Sequence, residues 1–80
     1  MAVELLSPGE VPGTKLAFYR AHGIAEVLEV DVTTLGARLL LRPDSPTEVA
    51  APWPEATASQ AIPGLSIVDG TIEIAGERYS

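Results

Sequence analysis

Residues 2–31 place a strand, a loop, a helix and a second strand in succession, and this order constrains the fold more than any other feature. The apolar run AVELLS at 2–7 predicts a mostly buried strand. Two prolines and two glycines within residues 7–13 predict a loop. A helix is expected over 14–22 and an alternating strand over 24–31. Because a helix joins the two strands, we expect them to be parallel.

The rest of the chain predicts antiparallel pairing. Residues 36–42 read as the return strand of a hairpin with the second strand. Asp69-Gly70 lies between two alternating apolar runs, which is a strong hairpin signal, so residues 65–75 are expected to form a second hairpin. The predicted fold is α+β: one small domain spanning 1–80, with a mixed sheet of four to five strands and one main helix. The helix covers one face of the sheet, and we expect the other face to be bare in a monomer.

A long connection, residues 43–63, separates the two hairpins and is rich in Ala, Pro, Thr and Ser. A structureless connection of this length is unusual inside a compact domain. Two interpretations stay open: an arm packed by Trp53 and Val49, with a short edge strand at 48–51, or a segment that docks on a second subunit. For Trp53 itself, filling a small core is the commoner role.

Size and composition bound the class of protein. A chain of 80 residues buries only about 60% of the surface that its unfolded form exposes. There is no cysteine, so disulfides and thiolate metal sites are excluded, and the fold must be reinforced by good packing or by oligomerisation; we expect a homo-oligomer. The chain has no apolar run long enough to span a membrane, and its N-terminus carries an acid where a secretory signal carries bases. These features predict a cytoplasmic protein.

The charge balance disfavours nucleic acid as a partner. Eleven acidic residues against five basic ones give a net charge of −6. Phosphate contacts from Lys and Arg supply essentially all non-specific affinity for nucleic acids. Here the five bases are scattered along the chain and form no basic run: Lys15, Arg20, Arg38, Arg42 and Arg78.

Most residue types that could carry chemistry have a structural interpretation here. His22 precedes a glycine that can end the helix, which favours a helix-terminal residue over a general base. Ser7 lacks a histidine base and a nucleophile-elbow motif. Glu26, Glu29 and Asp31 could suggest a metal cluster, but on a strand Glu26 points away from the other two, so a solvated face or a strand end is expected.

Glu4 is the exception among the polar residues. An ionised carboxylate in an otherwise apolar strand is costly unless it is paired, bound to metal or exposed at an edge. Lys15, at the start of the helix, could be brought over the end of that strand. A carboxylate beside a lysine is half of a metal-dependent phosphodiesterase site.

These residues also resemble a known family. Val3 to Pro8, VELLSP, followed by the pattern K-x-x-x-Y-x-x-x-G-I-x-E-V-x-x-V-D over residues 15–31, resembles the Uma-type family of restriction-endonuclease-like proteins with a PD-(D/E)XK nuclease core. A second segment, residues 59–65, resembles the S-P-x-L-P-G-L segment of that family. The resemblance covers residues 2–42 and, with less agreement, 59–67.

The resemblance implies a truncated restriction-endonuclease-like core and a magnesium-dependent nuclease. Glu4 would be a metal-binding acid and Lys15 the nuclease lysine, carried on the helix because Leu6 occupies the usual strand position. The family places its first metal-binding aspartate upstream of the position of Glu4, so the chain corresponds to the C-terminal half of the fold. We therefore expect the isolated chain to be inactive and catalysis to require a complementary protein segment, and whether the chain is an enzyme stays open. The alternative is a non-catalytic oligomerisation or protein-interaction module.

Overall fold

The structure is a computed structural model that describes residues 1–43 and 53–79. One short helix and seven strands occur in this part of the chain. In chain order they are β1 (Ala2–Leu6), α1 (Leu16–Ala21), β2 (Glu26–Asp31), β3 (Ala37–Leu41), β4 (Glu55–Ala56), β5 (Leu65–Val68), β6 (Thr71–Ile74) and β7 (Glu77–Tyr79). The protein is thus a small mixed α/β structure with two sheets and little helix.

The first half forms the predicted strand, helix and strand. β1 and β2 are parallel neighbours, with Glu4 opposite Glu29 in register. The helix is shorter than the predicted 14–22 because residues 12–15 form turns instead. Gly23 ends it with a φ of +73°, a left-handed conformation that glycine adopts without steric cost.

β3 pairs antiparallel with β2, as the hairpin prediction required. Asp31 shapes the turn between them, since its Oδ1 accepts hydrogen bonds from the amides of Thr33 (2.8 Å) and Thr34 (3.1 Å). The two-residue strand β4 then adds to β3, so the first sheet has the order β1-β2-β3-β4.

The predicted hairpin around Asp69-Gly70 is present, and both turn residues have positive φ angles, 51° and 73°. The prediction missed β7, which pairs with β6 and makes this unit a separate three-stranded sheet, β5-β6-β7. The second sheet contacts the first sheet and the segment after β4 through backbone hydrogen bonds. Ala58, in that segment, forms a bridge with Ser66, and the Ala37 amide of β3 donates to the Gly70 carbonyl. The prediction of a single mixed sheet of four to five strands is therefore only partly confirmed, because the chain forms a mixed four-stranded sheet and a second sheet of three strands.

The second sheet covers much of the face that was expected to be bare, so that prediction is wrong. Leu65 on β5 packs against Leu28 and Leu39 of the first sheet. The reason is the alternation within the hairpin: its inward positions are apolar and can bury against β2 and β3. On β1 the same face stays open, with Val3 54% and Leu5 60% exposed.

The opposite face of the first sheet packs against α1 and the end of the long connection. Trp53 is buried there against Val27 and Leu40, so it fills the core as predicted. Residues 44–52, including Val49 and the edge strand expected at 48–51, lie outside the described residues. No helix among the described residues is long and apolar enough to cross a membrane.

Glu26 ties the connection to the sheet. It is only 3% exposed, and its carboxylate accepts hydrogen bonds from the Ser59 hydroxyl and the Gln60 amide (2.8 Å). The expectation that Glu26 belongs to a solvated strand face is therefore wrong. A charge removed from water must be paired or hydrogen-bonded, and here the chain folds back to supply both donors.

Glu26→Ala should loosen the second sheet before the rest of the molecule. Loss of hydrogen bonds to a charged group should lower the free energy of unfolding by about 1.5–3 kcal/mol, measured by urea denaturation. The amide of Ile67, which donates to the Thr57 carbonyl, should lose protection in hydrogen exchange while β2 amides keep theirs. Glu10→Ala, at an exposed loop position, is the matched control and should change neither quantity. Equal loss of protection in both sheets would contradict this role.

Candidate functional site

Glu4, Lys15 and Tyr19 meet on the helix-facing side of β1. The ammonium of Lys15 lies 3.2 Å from Glu4 Oε1, and the hydroxyl of Tyr19 donates to Glu4 Oε2 at 2.5 Å. Lys15 and Tyr19 are four residues apart, a spacing that places both side chains over the same part of the sheet. The structure thus brings together the two residues that the sequence singled out, and adds a phenol.

The three side chains differ in their access to water. The Glu4 side chain is only 12% exposed, whereas that of Lys15 is 60% exposed. Glu4 is therefore held against the protein, while Lys15 reaches it from the solvent side. Lys15 is the partner that can leave without uncovering the core.

The hydrogen bond between Glu4 and Tyr19 shifts both groups in opposite directions. The Tyr19 hydroxyl lowers the pKa of the Glu4 carboxyl; burial raises this pKa and Lys15 lowers it, and the net shift is downward. The negative charge of Glu4, together with burial, raises the pKa of the Tyr19 phenol above its usual value of 10.0. Glu4 is thus held ionised and Tyr19 protonated over the neutral pH range.

Glu29 is the acid nearest to Glu4 along the sheet, and sequence reasoning missed its role. It lies in register with Glu4 on one side and with Arg38 on the other. It is 3% exposed, so the expected solvated face is wrong here too. Arg38 Nε donates to Glu29 Oε1 at 2.5 Å, and the Gly13 amide donates to Oε2 at 2.7 Å. Glu29 and Arg38 carry opposite charges on the two strands of the β2–β3 hairpin, and this sequence pattern could have predicted their pairing.

The other polar residues considered for chemistry are not part of this group. His22 is at the end of α1, where its ring packs on Phe18 with the centroids 4.3 Å apart. Asp31 shapes the β2–β3 turn, and Ser7 is exposed at the end of β1, where its amide donates to Glu10. His22 is thus the helix-terminal residue that its position predicted, whereas the turn contacts of Asp31 were not predicted.

The site residues do not by themselves fit a magnesium ion. Mg²⁺ takes oxygen ligands in near-octahedral geometry. All four carboxylate oxygens of Glu4 and Glu29 already accept donors from the protein. Within the described residues there is also no group of three or more His, Cys, Asp or Glu side chains that could hold a metal.

A separate cleft of about 470 Å³ lies between β3, β4 and the second sheet. Its charged lining includes Arg38, Glu55 and Asp69. Arg38 is held by Glu29 and lies 3.7 Å from Glu55, so its charge is already balanced by neighbouring acids. Arg38 therefore does not offer an unpaired positive charge to a ligand in the cleft.

Comparison of the chain with family models, with curated proteins and with solved structures finds no match.

The contact between Tyr19 and Glu4 should give stability a defined pH dependence. Because the folded pKa of Glu4 is lowered, its contribution is present above about pH 4.5 and is lost as the pH falls through the folded value. Because the folded pKa of Tyr19 is raised, its contribution is present below pH 10.0 and is lost as the pH rises through the folded value. The stability difference between the wild type and Tyr19→Phe should therefore be constant in between and shrink at both ends.

The phenol can also be titrated directly. The chain has two tyrosines, so a Tyr79→Phe background leaves Tyr19 as its only phenol. Its ultraviolet tyrosinate signal should appear above pH 10.0, and Glu4→Gln should move it back towards the usual value. A titration that Glu4→Gln leaves unchanged would show that the hydrogen bond does not form in solution.

Proposed function

We propose that the chain is a member or a remnant of the magnesium-dependent PD-(D/E)XK nuclease-like family that it resembles, and that it is inactive as an isolated chain. The observation that carries this proposal is the 3.2 Å contact between Lys15 and Glu4 over a parallel strand pair. The resemblance assigns the metal-binding acid and the nuclease lysine to these two residues. A lysine beside a metal-binding acid can offset negative charge that develops on a phosphate.

The arrangement supplies only part of such a site. Glu4 is the one carboxylate in it with a displaceable partner, because Lys15 is largely exposed whereas Glu29 is buried and held by Arg38. One such carboxylate is too few for a cation that wants several oxygen ligands. Activity therefore requires a further acid from a complementary segment or from another chain. The roles of Glu4 as metal ligand and of Lys15 as catalytic residue depend on that addition.

Plasmid cleavage tests the nuclease proposal. The isolated chain should leave supercoiled DNA intact with Mg²⁺, whereas the chain joined to the segment encoded immediately upstream should nick it in a metal-dependent way. Glu4→Gln should abolish this nicking, and Lys15→Met should slow it by about 10²-fold or more, as expected for loss of one charge-stabilising group. Glu10→Gln is the matched control, because Glu10 is an exposed loop carboxylate. Absence of nicking in the joined protein, or nicking that survives Glu4→Gln, would refute the proposal.

A second candidate function is a non-catalytic module for self-association, and the edge of β1 favours it. Val3 and Leu5 are more than half exposed on a face whose neighbouring positions on β2, Leu28 and Val30, pack in the core. β1 itself contains no proline or lysine, which commonly protect an edge strand from pairing. The opposite edge, β4, has only two residues, one of them the exposed Glu55. Of the two edges, β1 is the one suited to pair with another strand.

Sedimentation tests this second candidate. The wild type should be a dimer at high micromolar concentration, and the Val3→Lys/Leu5→Lys variant should be a folded monomer because charges would replace the apolar contact. Val11→Lys is the control, since Val11 is an exposed apolar residue in the loop after β1. A wild-type protein that stays monomeric at that concentration would remove this candidate.

A further inference from the structure

Four charged side chains form a line across the first sheet. Glu4, Glu29 and Arg38 occupy neighbouring positions on β1, β2 and β3. Lys15 contacts Glu4 and so adds a fourth charge at the β1 end of this set. We call this set the four-charge row; its charges run positive, negative, negative, positive.

The inner end of the row holds the loop that carries Lys15. Glu29 accepts the amide proton of Gly13, two residues before Lys15. Gly13 has a φ of +82°, and a β-carbon placed there would lie 3.6 Å from Arg38 Nη2, so the loop backbone passes close above the row. Glu29 thus binds the helix end of the loop, two residues before the lysine that reaches Glu4.

The start of α1 is held by the packing of Leu16 on the core but has no side-chain cap. Lys15 is the N-cap residue and makes no side-chain capping bond, and no acid occurs in the first turn. The helix has only six residues, far fewer than a helix needs to be stable by itself. The position of Lys15 therefore depends on two contacts with the sheet: the packing of Leu16 on the core after it and the hydrogen bond of the Gly13 amide to Glu29 before it.

We propose that Glu29 is a positioning residue for Lys15: by accepting the Gly13 amide it anchors the loop and so places the ammonium on Glu4. Arg38 enables this role, because it neutralises a second carboxylate that would otherwise repel Glu4. This inference rests on the proposed function in one respect, because that function is what makes the contact between Lys15 and Glu4 important. The anchoring itself is a property of the isolated chain.

The test measures the coupling between Lys15 and Glu4 by a double-mutant cycle with Lys15→Met and Glu4→Gln. The cycle is run in the wild type and in a Glu29→Met/Arg38→Met background. Replacing both partners of a buried ion pair with apolar side chains commonly preserves the fold, so this background removes the anchor without leaving a buried charge. We expect the coupling of Lys15 with Glu4 to be lost there, whereas the coupling of Tyr19 with Glu4 persists.

A rescue variant separates anchoring from charge. Glu29→Gln/Arg38→Met is neutral but keeps an amide oxygen that can accept the Gly13 proton. We expect it to restore the coupling. Coupling that survives in the Met/Met background, or that is lost equally in both backgrounds, would overturn the proposal.

Hydrogen exchange in the wild type provides a check that needs no variant. The Gly13 amide should exchange more slowly than the Glu10 amide, whose hydrogen bond to the Ser7 carbonyl lies in the exposed part of the loop. Exchange of Gly13 as fast as Glu10 would overturn the proposal even if the Met/Met protein failed to fold. None of these measurements uses DNA cleavage. A failed nuclease test would therefore leave the anchoring intact, and a failed anchoring test would leave the nuclease proposal open.

Discussion

The burial of two carboxylates on β2 is the constraint on which the rest of the structure depends. Glu26 and Glu29 are three residues apart on a strand, so they point to opposite faces of the sheet. Each must find donors inside the protein, because an unpaired buried charge is very costly. Glu26 takes its donors from Ser59 and Gln60, while Glu29 takes its donors from Gly13 and Arg38. One strand therefore fixes a covering segment on each of its faces.

This arrangement suits specificity better than stability. Replacing a buried ion pair with apolar residues is often neutral or stabilising, so the pairing of Glu29 with Arg38 is weak evidence for added stability. The two acids on β2 do penalise errors of register. A shift of β2 by one residue would turn each acid to the opposite face and leave it without its donors. We infer that a small domain with few buried apolar side chains uses these acids to select one register.

Local chain chemistry was enough to predict the parallel strand pair, the two hairpins and the burial of Trp53. It was not enough to predict the burial of the two acids on β2, because that burial depends on donors that are far away in sequence, such as Ser59 for Glu26. The prediction of a bare sheet face was wrong for the same reason, since the packing of Leu65 on Leu28 is a contact between segments that are distant in sequence. In the candidate site, the order of elements predicted that Lys15 could reach Glu4. The phenol of Tyr19 on the same carboxylate follows only from the helix orientation.

The environment of Glu4 leads both functional proposals to the same edge of the sheet. Tyr19 holds one oxygen of Glu4 from within the protein, while the exposed Lys15 holds the other through a contact worth only about 0–1 kcal/mol in water. Glu4 can therefore exchange one partner without losing its orientation. β1 is an edge strand, so a strand added beside it would lie next to Glu4 on one face and would place its own side chains beside Val3 and Leu5 on the other. An acid on that strand would complete the site, whereas an apolar strand without one would yield only an interface.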